Sequence, residues 1–205
     1  MKITAIKQQV KRADRYSIYI DEKYSCSFSE AELLRLSLRI GQEITPVKLE
    51  ELKNDAVLDK AYYRSLDLIM RRVRSEWELR DYLKRKDHTP EVIDSVVARL
   101  TDAGYVNDAD FARRWVDNRR LLKSTSKRRL RQELKQKRVA DDVIDAALGN
   151  DETDERQVLR DLVEKKRSRY PDRLKLMQYL ARQGYAYDDI KVVLENPDPE
   201  ADYDG

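Results

Sequence analysis

"WELRDYLKRKDHTPEVIDSVVARL", residues 77–100, returns twice further along the chain, as "RRLRQELKQKRVADDVIDAAL" at 128–148 and as "RLKLMQYLARQGYAYDDIKVVL" at 173–194. Placed without gaps, the three stretches align Leu79, Leu130 and Leu176, then Leu83, Leu134 and Leu180, then Ile93, Ile144 and Ile190, then Val97, Leu148 and Leu194. Two apolar residues four apart lie on one face of a helix. Each stretch therefore predicts a helix, a turn and a second helix packed through the apolar seam. Upstream, "LDLIMRRV", "FARRWVDNRRLL" and "VLRDLVEK" supply one more helix per repeat, so the repeat is three helices with a period of 46 to 51 residues. Eight residues before the second leucine stands a capping residue in every repeat, Ser75, Ser126 or Asp172, and Ser75 with Glu78 spells a capping box. Repeats of this length bury their outer faces against neighbours. The expected fold is mainly α: three tandem three-helix repeats forming an elongated curved array, with a small β-containing N-terminal extension.

The first 45 residues read differently. β-Branched and aromatic residues alternate in "ITAIKQQVKR", "RYSIYI" and "YSCSF", which predicts three short strands, with a tight hairpin turn at Asp21 to Lys23. Ser29 is placed to cap a short helix, "SEAELLRLSL", closed by Gly41. Pro46 then suits the first turn of a helix running through "PVKLEELKNDAVLDKAYYRSLDLIMRRVR", either unbroken or interrupted near Asn54 and Asp55. The expected division is 1–45 for the β-rich extension, 46–108 for the first repeat with its lead-in helix, 109–150 and 151–195 for the second and third, and 196–205 for an acidic disordered tail.

Composition agrees with helix. Of 205 residues, 40% are charged and 40% hydrophobic, and five glycines with five prolines leave little for the turns of an all-β fold. The single Cys26 excludes an intramolecular disulfide and a Cys-based zinc site. "MKITAIKQQVKR" lacks the apolar core of a signal peptide and no stretch has the apolar length of a membrane span, so a cytoplasmic protein is expected. Catalytic chemistry finds no foothold. The one histidine, His88, aligns with Val139 and Tyr185 at an interhelix turn; the aspartate pairs Asp141 with Asp142 and Asp188 with Asp189 sit where helix starts favour negative charge; no phosphate-binding loop or metal-ligand spacing occurs. Neither enzymatic activity nor a cofactor is expected.

Charge is distributed unevenly despite a net +3. From Arg119 to Arg138 there are ten Lys or Arg against one acid, Glu133. The same basic junction between first and second helices recurs in every repeat: Arg71, Arg72 and Arg74; then Arg119, Arg120 and Lys123, continued by Lys127, Arg128, Arg129, Arg131 and Lys135; then Lys165, Lys166, Arg167 and Arg169. The helix dipole rewards one or two cations at a C-terminal turn by about 0.3–1 kcal/mol each, which leaves the remainder unexplained. Clustered like charges repel, so an anionic partner is inferred, with phosphate backbones the commonest that reward such clusters. No repeat carries the Asn, Gln and Arg set of a clear recognition helix, so backbone contact without base readout is expected.

"RRVRSEWELRDYLKRK" at 71–86 and "VIDSVVARLTDAGYVNDADFARRWVDNR" at 92–119 resemble the signature of the RecX regulators of the RecA recombinase. The matching positions are Arg72, Arg74, Ser75, Glu78, Leu79 and Leu83, the turn from Gly104 to Asp108, and Asp108, Phe111 and Ala112. The three-repeat layout with a short β-containing extension is similar to longer members of that family, although the third repeat lacks the G-Y-V-N-D turn. The resemblance implies a non-enzymatic protein, expected to be monomeric, that binds the RecA filament on single-stranded DNA, blocks its ATPase and strand exchange, and promotes its disassembly. Two other classes fit the residues: an autonomous nucleic-acid-binding protein, on single-stranded or duplex DNA, and an adaptor for acidic protein surfaces.

Overall fold

The computed structural model describes residues 1–195; the acidic tail at 196–205 lies outside the described residues. Among the described residues two compact units emerge, one of Met1–Arg74 with Glu78–Val106, the other of Ser75–Trp77 with residues 107–195.

The first unit begins with an antiparallel meander of strands β1 (Ile3–Gln8), β2 (Arg15–Ile20) and β3 (Lys23–Ser29). The β2–β3 turn has positive φ at both Asp21 and Glu22, 46° and 68°, a backbone whose twist suits a two-residue hairpin. Ile3, Ile18 and Phe28 are fully buried on one side. Ser29 caps α1 (Glu30–Arg35) by accepting from the Glu32 N–H, as the sequence predicts, but the helix stops well short of Gly41. Ser37 takes φ +49°, a left-handed conformation that turns the chain out of the helix.

Thr45 and Pro46 open α2 (Pro46–Arg71), which runs unbroken through Asn54 and Asp55. Leu52 and Ala56 are buried on the inner face, and Asp59 locks the helix to β3. Its carboxylate accepts from the Ser29 N–H at 2.9 Å and hydroxyl at 2.6 Å and pairs with Arg15 at 3.0 Å, all three residues being buried. The far half of α2 covers α4 (Pro90–Asp102), and Leu79 and Leu83 of α3 (Glu76–Lys84) fill the core with Ala61, Ile93, Val97 and Leu100.

The second unit holds α5 (Asp108–Leu122), α6 (Lys127–Gln136) and α7 (Asp141–Gly149), then α8 (Glu155–Arg167), α9 (Arg173–Arg182) and α10 (Tyr187–Glu195). Leu130, Leu134 and Ile144 are fully buried, and so are Leu180 and Ile190 of the third repeat. The aligned columns of the sequence are thus the core. Between second and third helix each repeat uses the same left-handed residue, Asp87 (φ 59°), Arg138 (φ 57°) or Gly184 (φ 93°). The next N–H, of His88, Val139 or Tyr185, then reaches back to the carbonyl of Leu83, Leu134 or Leu180. His88 therefore occupies a helix-ending turn; partial burial, with Arg64 and Lys60 nearby, lowers its pKa. Among the described residues no helix is long and apolar enough to cross a membrane.

Candidate anion-binding junctions

Each basic junction is made where a first helix ends; in the first two the chain then runs extended to the next cap, whereas α8 ends on Ser168 in helical conformation (φ −63°). Arg72 (φ −163°) and Lys123 (φ −149°) are the extended C-caps of α2 and α5, each three residues before a cap serine. The fold positions the fifteen cations of the sequence very differently.

In the first unit, Arg71 is exposed at the end of α2 and forms no ion pair among the described residues. Arg72 grips the buried Glu78 carboxylate in a two-point contact at 2.9 and 3.0 Å, so the glutamate that the sequence places in a capping box neutralises a junction cation. Arg74 is half-buried and its Nε meets no hydrogen-bond acceptor among the described residues. Desolvation first, then the neighbouring Arg72 and Arg85, destabilise its charge.

In the second unit, Arg120 points inward. Its side chain is 10% exposed, and it binds Asp151 at 2.6 Å, Glu155 at 2.7 Å and the Thr125 carbonyl at 2.5 Å. Lys127 donates from Nζ to the Asp151 carbonyl at 2.7 Å, and its N–H donates to Glu155 at 2.9 Å. Arg119 donates to Glu133 at 2.7 Å while its guanidinium lies 4.7 Å from the Trp115 ring centroid; Lys137 stands 5.4 Å from the same ring. The Trp115 indole N–H completes the group by donating to Glu133 at 2.9 Å. Arg129 lies 3.7 Å from Glu133 and donates to the Arg182 carbonyl at 2.7 Å. Arg131 pairs with Asp145, and Lys135 with Asp141 at 2.9 Å. Lys123 and Arg128 are exposed and form no ion pair among the described residues.

The third junction is different again. Lys165, Arg167 and Arg169 are exposed, Lys166 is half-buried, and none of the four forms an ion pair among the described residues. Three of them occupy the last turn of α8, where the helix dipole adds negative character.

Like-charge repulsion is therefore relieved inside the fold at Arg72, Arg119, Arg120, Arg131 and Lys135. It persists at Arg71, Lys123, Arg128 and the α8 end. Sequence reasoning missed the Trp115, Arg119, Glu133 and Lys137 group; the four-residue spacings of 115 with 119 and of 133 with 137 were its available signal.

Fold and site together define a class: a protein of tandem three-helix repeats with a small amino-terminal meander and cation-rich helix junctions. The chain belongs to the RecX family. Four family models match in order, the regulatory protein RecX N-terminal domain at residues 1–45 and the first, second and third RecX three-helix domains at 61–100, 107–148 and 153–194. Regulatory protein RecX of Bacillus velezensis is 32% identical over 98% of this chain and 79% of its own length. That of Listeria welshimeri is 36% identical over 77% of this chain, a match spanning 58% of the relative's length. The matches thus cover only part of these longer relatives. A crystal structure of regulatory protein RecX superposes with a TM-score of 0.76 at 26% identity, covering 95% of this chain and 99% of the other.

Proposed function

We propose that this chain is a non-enzymatic regulator that binds the RecA filament on single-stranded DNA, inhibits its ATPase and strand exchange, and promotes its disassembly, acting as a monomer in the cytoplasm. Membership of a family of regulatory proteins supports the regulatory part. The observation that carries the contact is the end of α8, where Lys165, Lys166, Arg167 and Arg169 have no acid among the described residues to neutralise them. Phosphate oxygens answer such a cluster by charge-assisted contact and release of counterions, without reading sequence. Arg71, exposed at the end of α2, adds to the same chemistry, whereas Arg120 serves the fold.

The test is the single-stranded-DNA-dependent ATPase of RecA on preformed filaments, titrated with the full chain, beside binding of the chain to the same DNA alone. Inhibition at concentrations too low to coat the naked DNA is the expected result. Salt-sensitive DNA binding without inhibition would replace this reading with that of an autonomous DNA-binding protein.

A further inference from the structure

The end of α5 carries something that charge does not explain. Leu121 and Leu122, its last two residues, are 82% and 73% exposed. They are followed directly by Lys123, and Arg128 stands in the first turn of α6; both cations are exposed and form no ion pair among the described residues. Single exposed leucines are ordinary, but two adjacent ones beside unneutralised cations make a patch that water solvates poorly. The same register recurs in the first unit, where Met70, 76% exposed, precedes the exposed Arg71 at the end of α2. Met70 and Leu121 each lie two residues before an extended C-cap.

We propose that the α5–α6 junction is a protein-docking surface, whose partner presents apolar side chains flanked by acidic ones. This rests on the regulatory reading above and divides its labour. Aliphatic side chains have no ring face on which a base stacks and gain nothing from phosphate, so Leu121 and Leu122 suit a protein partner better than a contact with the nucleic-acid backbone. Apolar side chains packed at the centre with a charged rim are the ordinary anatomy of a protein interface, and Lys123 with Arg128 sets the sign of the partner's rim. The last turn of α8, by contrast, carries three cations and no exposed apolar residue, which suits phosphate.

The experiment compares the full chain with Leu121→Ser/Leu122→Ser. Both positions are solvent-exposed, so an unchanged melting temperature is expected and serves as the folding control. Two probes are used: a synthetic amphipathic helix of leucine and glutamate, and a thymidine oligonucleotide. The wild-type chain should bind the peptide in a salt-sensitive manner, the double variant at least tenfold more weakly, with oligonucleotide affinity unchanged. Peptide binding that is absent, or insensitive to the substitutions, overturns the docking surface; a parallel loss of oligonucleotide affinity assigns the patch to nucleic acid and overturns it too. On RecA filaments the variant should need at least tenfold more protein for half-inhibition. A wild-type chain that fails to inhibit at all refutes the regulatory reading, while the peptide comparison still decides the surface.

Discussion

The Ser126 hydroxyl donates a hydrogen bond to the Gln183 carbonyl at 2.9 Å while accepting one from the Arg129 N–H at 3.2 Å. One buried side chain thus caps its own helix and holds the end of the corresponding helix one repeat further on. The Ser75 hydroxyl likewise donates to the carbonyl of Lys137, the aligned position, at 3.0 Å. The residue after each serine donates its N–H to the first residue of the next repeat's leading helix, Glu76 to Asp108 at 2.8 Å and Lys127 to Glu155 at 2.9 Å. Asp172, the third cap, accepts from the Lys175 N–H at 3.0 Å. An ionised carboxylate only accepts, so aspartate fits the cap that has no carbonyl to serve among the described residues.

This pairing predicts a ranking that ordinary cap preferences would not. Ser126→Asp keeps a good cap acceptor but loses the donor and sets a negative charge against the Gln183 carbonyl, so it should destabilise at least as much as Ser126→Ala, by about 1–3 kcal/mol. Gly184→Ala should cost more than about 1 kcal/mol, because φ is +93° and the added Cβ would collide with the Ser126 hydroxyl. Urea denaturation of the three variants checks the order; a fully stable Ser126→Asp protein would show that the donated bond is dispensable.

Much of this was legible in the sequence and some was not, for physical reasons. The columns of Leu79, Leu130 and Leu176 and their partners are periodic, and periodicity reports burial directly; the cap positions are fixed relative to those columns. The left-handed turn position announces itself clearly only at Gly184, since Asp87 signals it weakly and Arg138 not at all, although both adopt positive φ. The acids that neutralise the junctions were illegible. Asp151 and Glu155 lie 31 and 35 residues from Arg120, and no period links them. A basic run therefore reads as an anion site along its whole length, although Arg120 is a core residue.

The Arg120 network should make the second unit sensitive to acid. Burial opposes ionisation of Asp151, but hydrogen bonds from Thr153 and Arg120 and the Arg120 charge override it, leaving its pKa below the ordinary range. A folded pKa below the unfolded one stabilises the native state above the unfolded value, near 4, and the contribution disappears as pH falls through the folded value. The wild-type urea midpoint should therefore fall below about pH 4. Arg120→Met, which leaves two acids without their cation, should cost about 3–5 kcal/mol at pH 7 and flatten that acid limb. An unaltered pH profile in the variant would disprove the coupling.

In the first unit, Asp59→Ala strips the Ser29 hydroxyl and N–H of their acceptor and leaves Arg15 buried without its counter-charge. A loss of about 3–5 kcal/mol is expected. Hydrogen exchange locates the damage: protection should fall in β3 and the middle of α2, whereas α8 to α10 should keep theirs.

The division of the fifteen cations into neutralised and unneutralised sets gives opposite predictions for two charge-altered proteins. Lys165→Glu/Arg167→Glu/Arg169→Glu breaks no ion pair among the described residues, so its melting temperature should fall only by the helix-dipole cost, about 0.3–1 kcal/mol per charge in the last turn, while its DNA affinity falls. On single strands each phosphate contact contributes about 0.7 to the slope of log affinity against log salt, so removing three should lower that slope by about 2. Arg128→Glu/Arg129→Glu/Arg131→Glu reverses an equal number of charges but also destroys the contacts of Arg129 with Glu133 and the Arg182 carbonyl and of Arg131 with Asp145. Its melting temperature should drop while the salt slope stays near the wild-type value, since Arg129 and Arg131 are neutralised internally and Arg128 belongs to the proposed protein-docking surface. Equal slope losses in two equally stable proteins would mean that the internal acids release Arg129 and Arg131 to the phosphates at little cost, and that the whole basic run binds as one surface.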